Sequence, residues 1–326
     1  MGIFALDFMV RALIAGALTG VMAPAVGTYI VQRRLSMLGD GLGHVAIAGV
    51  GLALMTGQSP VPVAVVVCVL GAVIIEWLRQ SGRASGDVGL AILFYGGLAA
   101  GVLMAGMAGR GAGTLSAYLF GSLTSVSRSD LIVVAVMAVL VLVLALGLSP
   151  QLFAVTADED FARTQGLPTR GLSMLMVIMA AITVAVSMRT VGLLLVSAMM
   201  VVPVATSQNL VQGFRRTLAL AMTLGLVVAI GGVVASYYLD SASGATIVVL
   251  SIIVFAATLP VNSVLQQRRR AAVPEEVDDE AIFPRAEPHE TMDQTHEHTA
   301  ILHGDHVDYL HGGHRHAPHG DHFDEH

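Results

Sequence analysis

The sequence predicts an all-α, polytopic transmembrane helical bundle of eight or nine spans with a disordered C-terminal tail. Hydrophobic residues make up 55% of the 326-residue chain and charged residues only 12%, at a mean hydropathy of +0.76, outside the range of soluble domains. Apolar runs long enough to cross a bilayer recur between short polar turns. The net charge of -6 also conceals two unlike parts. Residues 1–263 hold 12 arginines against 9 acids, and residues 264–326 hold 5 against 14. The chain is read as a transmembrane domain, 1–263, followed by an acidic, His-rich tail, 264–326.

The first span is expected over 8–31, with Arg11 near its edge and able to snorkel. It is too long for the apolar core of a signal peptide, and no cleavage site follows it. The pair Arg33-Arg34 separates it from a second span, 35–55. The turn Thr56-Gly57-Gln58-Ser59-Pro60 leads into a third, 61–78, and Glu76, Arg79, Arg83 and Asp87 form a polar connection to the fourth, 88–107. A Gly- and Ser-rich stretch, 108–129, precedes the fifth span, 131–148. The longest polar stretch of this part is 149–170. Four further spans are expected over 171–188, 191–207, 217–239 and 245–261. The seventh is the weakest, because Pro203 interrupts it,. Arginine bias orients the set: with Arg268-Arg269-Arg270 inside, nine spans leave only Arg11, Arg110, Arg128 and Arg189 outside,. Eight spans would move the N-terminus to the other face. No internal repeat stands out.

The tail is acidic, contains proline and is poor in apolar residues, which predicts disorder without a ligand. It carries 11 of the 12 histidines. Those singled out as candidate metal ligands are His296, His298, His303, His306, His311, His314, His316, His319 and His322. Their spacings, such as His-Glu-His at 296–298 and His-x-x-His at 303–306, suit zinc, copper or nickel better than magnesium or calcium.

One stretch organises the membrane part. His44 is the sole histidine before residue 289, and Asp40 precedes it by four residues, so a helix places both on one face. A carboxylate and an imidazole inside an apolar run are costly and default to a functional reading. If the helix starts at Leu35, His44 lies roughly 15 Å along it, near the bilayer midplane. Oxygen plus imidazole nitrogen suits a divalent transition metal, and the imidazole must be neutral to ligate, so protons compete. The competing reading is a structural pair within a packed bundle. Gly39, Gly41, Gly43, Gly49 and Gly51 read as a close-packing face. Ser197, Thr206, Ser207 and Asn209 read as helix–helix hydrogen bonders, Glu76 as pairing with Arg79 or solvent, and Cys68 as a small buried hydrophobe.

Three stretches together resemble the membrane permease of bacterial ABC importers for zinc and manganese. They are Arg33-Arg34-Leu35-Ser36-Met37-Leu38-Gly39-Asp40-Gly41-Leu42-Gly43-His44, then Tyr118-Leu119-Phe120-Gly121-Ser122 with Asp130-Leu131, then Asp158-Glu159-Asp160-Phe161-Ala162-Arg163-Thr164-Gln165-Gly166-Leu167-Pro168 with 191–198 and Pro203. The resemblance covers about residues 8–263. It implies a permease homodimer in the bacterial plasma (inner) membrane, two cytoplasmic ABC ATPase subunits and an extracytoplasmic metal-binding protein. It implies Zn2+ or Mn2+ as transported substrate, with no permanently bound cofactor and no nucleic acid. It carries the metal ligands onto Asp40 and His44. It also makes Asp158, Glu159, Asp160, Phe161, Ala162 and Gly166 a short helix that couples to the ATPase. The residues agree by themselves: acids fit a helix N-terminus and Gly166 before Pro168 fits its end.

The chain has no lysine. A phosphate-binding Walker loop and Schiff-base catalysis both need one, so neither an ATPase nor such an enzyme is expected. One intramembrane histidine cannot build a zinc-protease motif either. The expectation is a metal permease, most consistent with zinc. Alternatives are manganese or iron as the substrate, a proton-coupled metal exporter using Asp40, and a membrane-anchored metal sensor acting through the tail.

Overall fold

The computed structural model describes residues 6–82, 86–109, 117–121, 127–188, 192–272, 299–303, 306–311, 314–319 and 322–325. Contacts divide the chain into two units, Met1–Asn262 and Ser263–His326. The first unit is helical. Its helices are α1 (Asp7–Gln32), α2 (Leu38–Thr56), α3 (Pro60–Gln80), α4 (Gly86–Met107), α5 (Arg128–Gly147), α6 (Ser149–Ala157), α7 (Glu159–Thr164), α8 (Thr169–Ser187), α9 (Leu193–Leu210), α10 (Phe214–Leu239) and α11 (Ser243–Ala272).

Among the described residues, eight helices are long and apolar enough to cross a membrane: α1, α2, α3, α4, α5, α8, α10 and α11. The span whose standing the sequence left open is α9, one helix with Pro203 inside it. Proline removes the N–H that would bond one turn back. Around it, Ser207 and Thr206 turn their hydroxyls onto the carbonyls of Pro203 and Val202. Their expected role between helices is thus filled within α9 itself, while the Asn209 amide reaches Thr258 on α11 at 3.5 Å.

Local chemistry sets the boundaries. Arg34 takes a left-handed φ of 59° and stops α1. Residues 35–38 form a turn closed by the Leu38 N–H on the Leu35 carbonyl, so α2 starts three residues later than expected. Gly57, at φ 71°, ends α2, and Pro60 opens α3 at a position where its missing N–H costs nothing,. Ser127 and Asp130 form a reciprocal capping box at the start of α5,. The polar stretch after α5 is more ordered than its composition suggests. Pro150 sits in the first turn of α6, which buries Leu152 and Val155.

α1, α2 and α8 form the enclosed centre of this unit. α2 lies against α3 and α4, and α1 against α5, α9 and α10. The glycine face of α2 does what its spacing predicts: a Cβ on Gly51 would stand 2.6 Å from the Gly101 carbonyl oxygen of α4, and one on Gly49 2.5 Å from the Ala64 Cα of α3. Tyr29 of α1 donates its hydroxyl to the Ala145 carbonyl of α5 at 2.6 Å. Cys68 is fully buried, with its thiol on the Leu42 carbonyl. The outward faces of α3 and α5 carry exposed rows such as Val66, Leu70 and Ile74, or Ile132, Val136 and Val139, as expected of helices facing an apolar medium.

In the second unit the described residues include four strands: β1 (Thr299–His303), β2 (His306–His311), β3 (His314–His319) and β4 (His322–Glu325). They form an antiparallel sheet in the order β1-β2-β3-β4.

Candidate metal centre

Asp40 lies in the first turn of α2, where the helix dipole favours a carboxylate. With α2 starting at Leu38 rather than Leu35, His44 lies about 9 Å along the helix instead of roughly 15 Å, one turn beyond Asp40,. Asp40 is half-buried and His44 is 6% exposed. The His44 ring donates from Nδ1 to the backbone carbonyl of Asp40 at 2.8 Å. A carbonyl only accepts, so in the neutral ring this bond selects the Nδ1–H tautomer, in which Nε2 carries the lone pair a metal needs,. Asp40 thus accepts from His44, as in the structural pairing weighed from sequence, through its backbone carbonyl rather than its carboxylate.

A cavity of about 260 Å³ lies between Met37, Asp40 and Gly41 on one side and Leu90, Phe94 and Tyr95 of α4 on the other. Phe94 also packs on the His44 ring, with centroids 3.8 Å apart. It stands at both the cavity and the imidazole, and no sequence signal pointed to it. Gly97 lets α4 close over the site, since a Cβ there would lie 2.6 Å from the His44 carbonyl carbon. Oxygen at the cavity and nitrogen one turn deeper form a donor pair of mixed character. Among the described residues, no group of three or more His, Cys, Asp or Glu side chains gathers into a closed site.

Charged residues collect where α1 and α3 end and α7 begins. Glu76, 2% exposed, receives Arg79 through Nε at 2.8 Å and Nη2 at 2.7 Å, with Gln80 at 2.8 Å. Gln80 also donates to the Arg170 carbonyl at the start of α8. Arg33 pairs with Glu159, the first residue of α7. Burial pulls the Arg33 guanidinium below its ordinary value, and the adjacent Glu159 pushes back. The sequence read Arg33 only as a marker of sidedness.

The expected short helix at 158–168 is present. Asp158 caps it by accepting the Phe161 N–H at 2.9 Å, and Gly166, at φ 79°, ends it. Its residues divide in a way the sequence did not reveal. Phe161 is 61% exposed, whereas Ala162 is 1% exposed. Asp160 is exposed and pairs with Arg163 at 3.2 Å.

The profile of the ABC 3 transport family matches residues 5–262. The chain belongs to that family. It is 33% identical over 251 residues to the manganese transport system membrane protein MntC of Halalkalibacterium halodurans, across 77% of this chain and 86% of that protein. It is 26% identical to the high-affinity zinc uptake system membrane protein ZnuB of Haemophilus influenzae, across 78% and 97%. Among solved structures it is similar to PsaBC from Streptococcus pneumoniae in complex with a Fab, with 27% identity and a TM-score of 0.69, covering 79% of this chain and 92% of that one. This ABC 3 chain is a multi-pass membrane permease, and the resemblance read from its three motif stretches is borne out. Of the tail candidates, His303, His306, His311, His314, His316, His319 and His322 lie in strands, while His296 and His298 lie outside the described residues. The Ser122 and Val191 positions of the motif stretches also lie outside them.

Proposed function

We propose that this permease moves a divalent metal ion, zinc first, across a bacterial plasma membrane as half of a homodimer. A cytoplasmic ABC ATPase supplies the energy and an extracytoplasmic carrier delivers the ion. The observation that carries this reading is the Asp40–His44 pair: a carboxylate at a cavity, and one turn deeper an imidazole whose tautomer is fixed for ligation. Similarity to a manganese permease and to a zinc permease supports a first-row divalent ion. The preference for zinc rests on the histidine content of the tail,. In this reading α7 is the coupling helix, presenting Phe161 to the ATPase and passing its movement through Glu159 to Arg33 and α1.

The test is ATP-driven uptake of zinc and of manganese by the assembled transporter in proteoliposomes. Asp40→Asn and His44→Ala are expected to lower the rate at least about tenfold, the scale of losing a metal-site interaction. Unchanged uptake in both variants would remove this pair from the path, and faster manganese than zinc uptake would overturn the choice of ion.

A further inference from the structure

We propose that Phe94 is a side-chain gate over His44, closed in this structure and opened when its ring swings into the neighbouring cavity. The inference rests on the reading in which the ion passes Asp40 and His44, and adds the residue that controls the passage. Phe94 packs on the imidazole with ring centroids 3.8 Å apart and a tilt of 39°. His44 is 6% exposed, so its ring is shut away from solvent. The cavity wall holds both Asp40 and Phe94. Phe94 therefore stands between the space at Asp40 and the imidazole one turn deeper.

The helices around this point have little freedom to part. A Cβ on Gly97 of α4 would stand 2.6 Å from the His44 carbonyl carbon, and one on Gly101 2.7 Å from that of Ile47. On its other side α2 meets α9, where a Cβ on Gly39 would lie 3.2 Å from the Ser197 Cβ and one on Gly43 3.3 Å from the Leu193 Cδ2. Backbones packed this closely are bistable rather than continuously deformable, which leaves a side chain as the part free to move.

Phe94 has both an alternative position and the room for it. On a helix an aromatic side chain has two open χ1 rotamers, about 180° and about −60°. The cavity measures about 260 Å³, whereas a void of about 150 Å³ already accepts a benzene ring. Nothing but an aromatic contact holds the ring to the imidazole, and such contacts are weak enough to break in each cycle. Tyr95 packs edge-on against Phe94, with centroids 5.2 Å apart, and lines the same cavity. With the ring swung aside, the Asp40 carboxylate and the His44 imidazole open onto one space. With the ring in place, the imidazole is closed to water and to the ion.

The test is the rate at which diethyl pyrocarbonate acylates His44 in the purified full-length permease, read by mass spectrometry of the peptide that carries it. Phe94→Ala removes the gate and should label at least about tenfold faster than wild type. Ala91→Leu fills part of the cavity wall, deprives the ring of its open position, and should label at least about threefold slower. Cys68 is fully buried against the Leu42 carbonyl, so its reaction with a maleimide reports general loosening around α2, and it should stay protected in both variants. Phe94→Ala labelling His44 no faster than wild type, Cys68 becoming reactive in parallel, or Ala91→Leu labelling as fast as wild type would each overturn the gate. Labelling needs neither ATP nor transport. Unchanged uptake in His44→Ala would therefore fault the route of the ion, while the labelling rates decide the gate.

Discussion

Two acids near the same end of the bundle carry different burdens. Asp40 is half-buried beside a cavity and gains only the helix-dipole contribution, about 0.3–1 kcal/mol,. Glu76 is 2% exposed and held by Arg79 and Gln80. Asp40→Asn should therefore shift the midpoint of thermal unfolding little and abolish most uptake. Glu76→Gln should do the reverse: it exchanges a charge-assisted pair for a neutral contact at a cost of about 1–3 kcal/mol, with uptake per folded molecule retained. Thermal unfolding in detergent and uptake normalised to folded protein measure both. A large stability loss in Asp40→Asn would assign that residue to structure. The pairing of Glu76 with Arg79, the face shared by Asp40 and His44, and the close-packing glycines were all legible in the sequence, because each depends on spacing along one helix. Phe94 was not, because its position at His44 comes from how α4 crosses α2.

Among the elements, α7 offers the sharpest contrast. Phe161 and Ala162 are neighbours in sequence, but one is exposed and the other sealed. Both were expected from sequence in one short segment without distinction, since a six-residue helix has too few turns for a pattern to show. Phe161→Ala should leave permease folding unchanged and reduce stimulation of the ATPase in the assembled complex. Ala162→Leu overpacks a filled space and should cost about 1–3 kcal/mol of stability. Normal ATPase stimulation in Phe161→Ala would place the docking contact elsewhere. The link behind the helix is testable as well. A double-mutant cycle on Arg33→Met and Glu159→Gln should return a coupling of about 0.5 kcal/mol or more, because the Arg33 side chain is 8% exposed,. Additive effects would mean that α7 is not fastened to α1 by this pair. Helix starts were less legible than helix existence. α2 began three residues late because Arg34 adopts a left-handed turn, and 149–157 formed a helix where polarity suggested a loop.

At the scale of the molecule, the all-α membrane part was legible from apolar run length alone, since its spans depend on bilayer thickness rather than on detailed packing. The strands described in the tail were not legible there, because composition averages over position. If the tail binds ions apart from the transport path, a chain ending at Arg270 should still transport, with an altered response to high internal zinc. Complete loss of transport in a stable, inserted truncation would put the tail on the path. The most direct measurement of the central claim is the initial rate of ATP-driven zinc uptake by the assembled transporter, wild type against His44→Ala, in proteoliposomes matched for folded permease and for ATPase content. A rate at least about tenfold lower, with ATPase assembly intact, is the predicted result. Equal rates would contradict a route for the ion past His44.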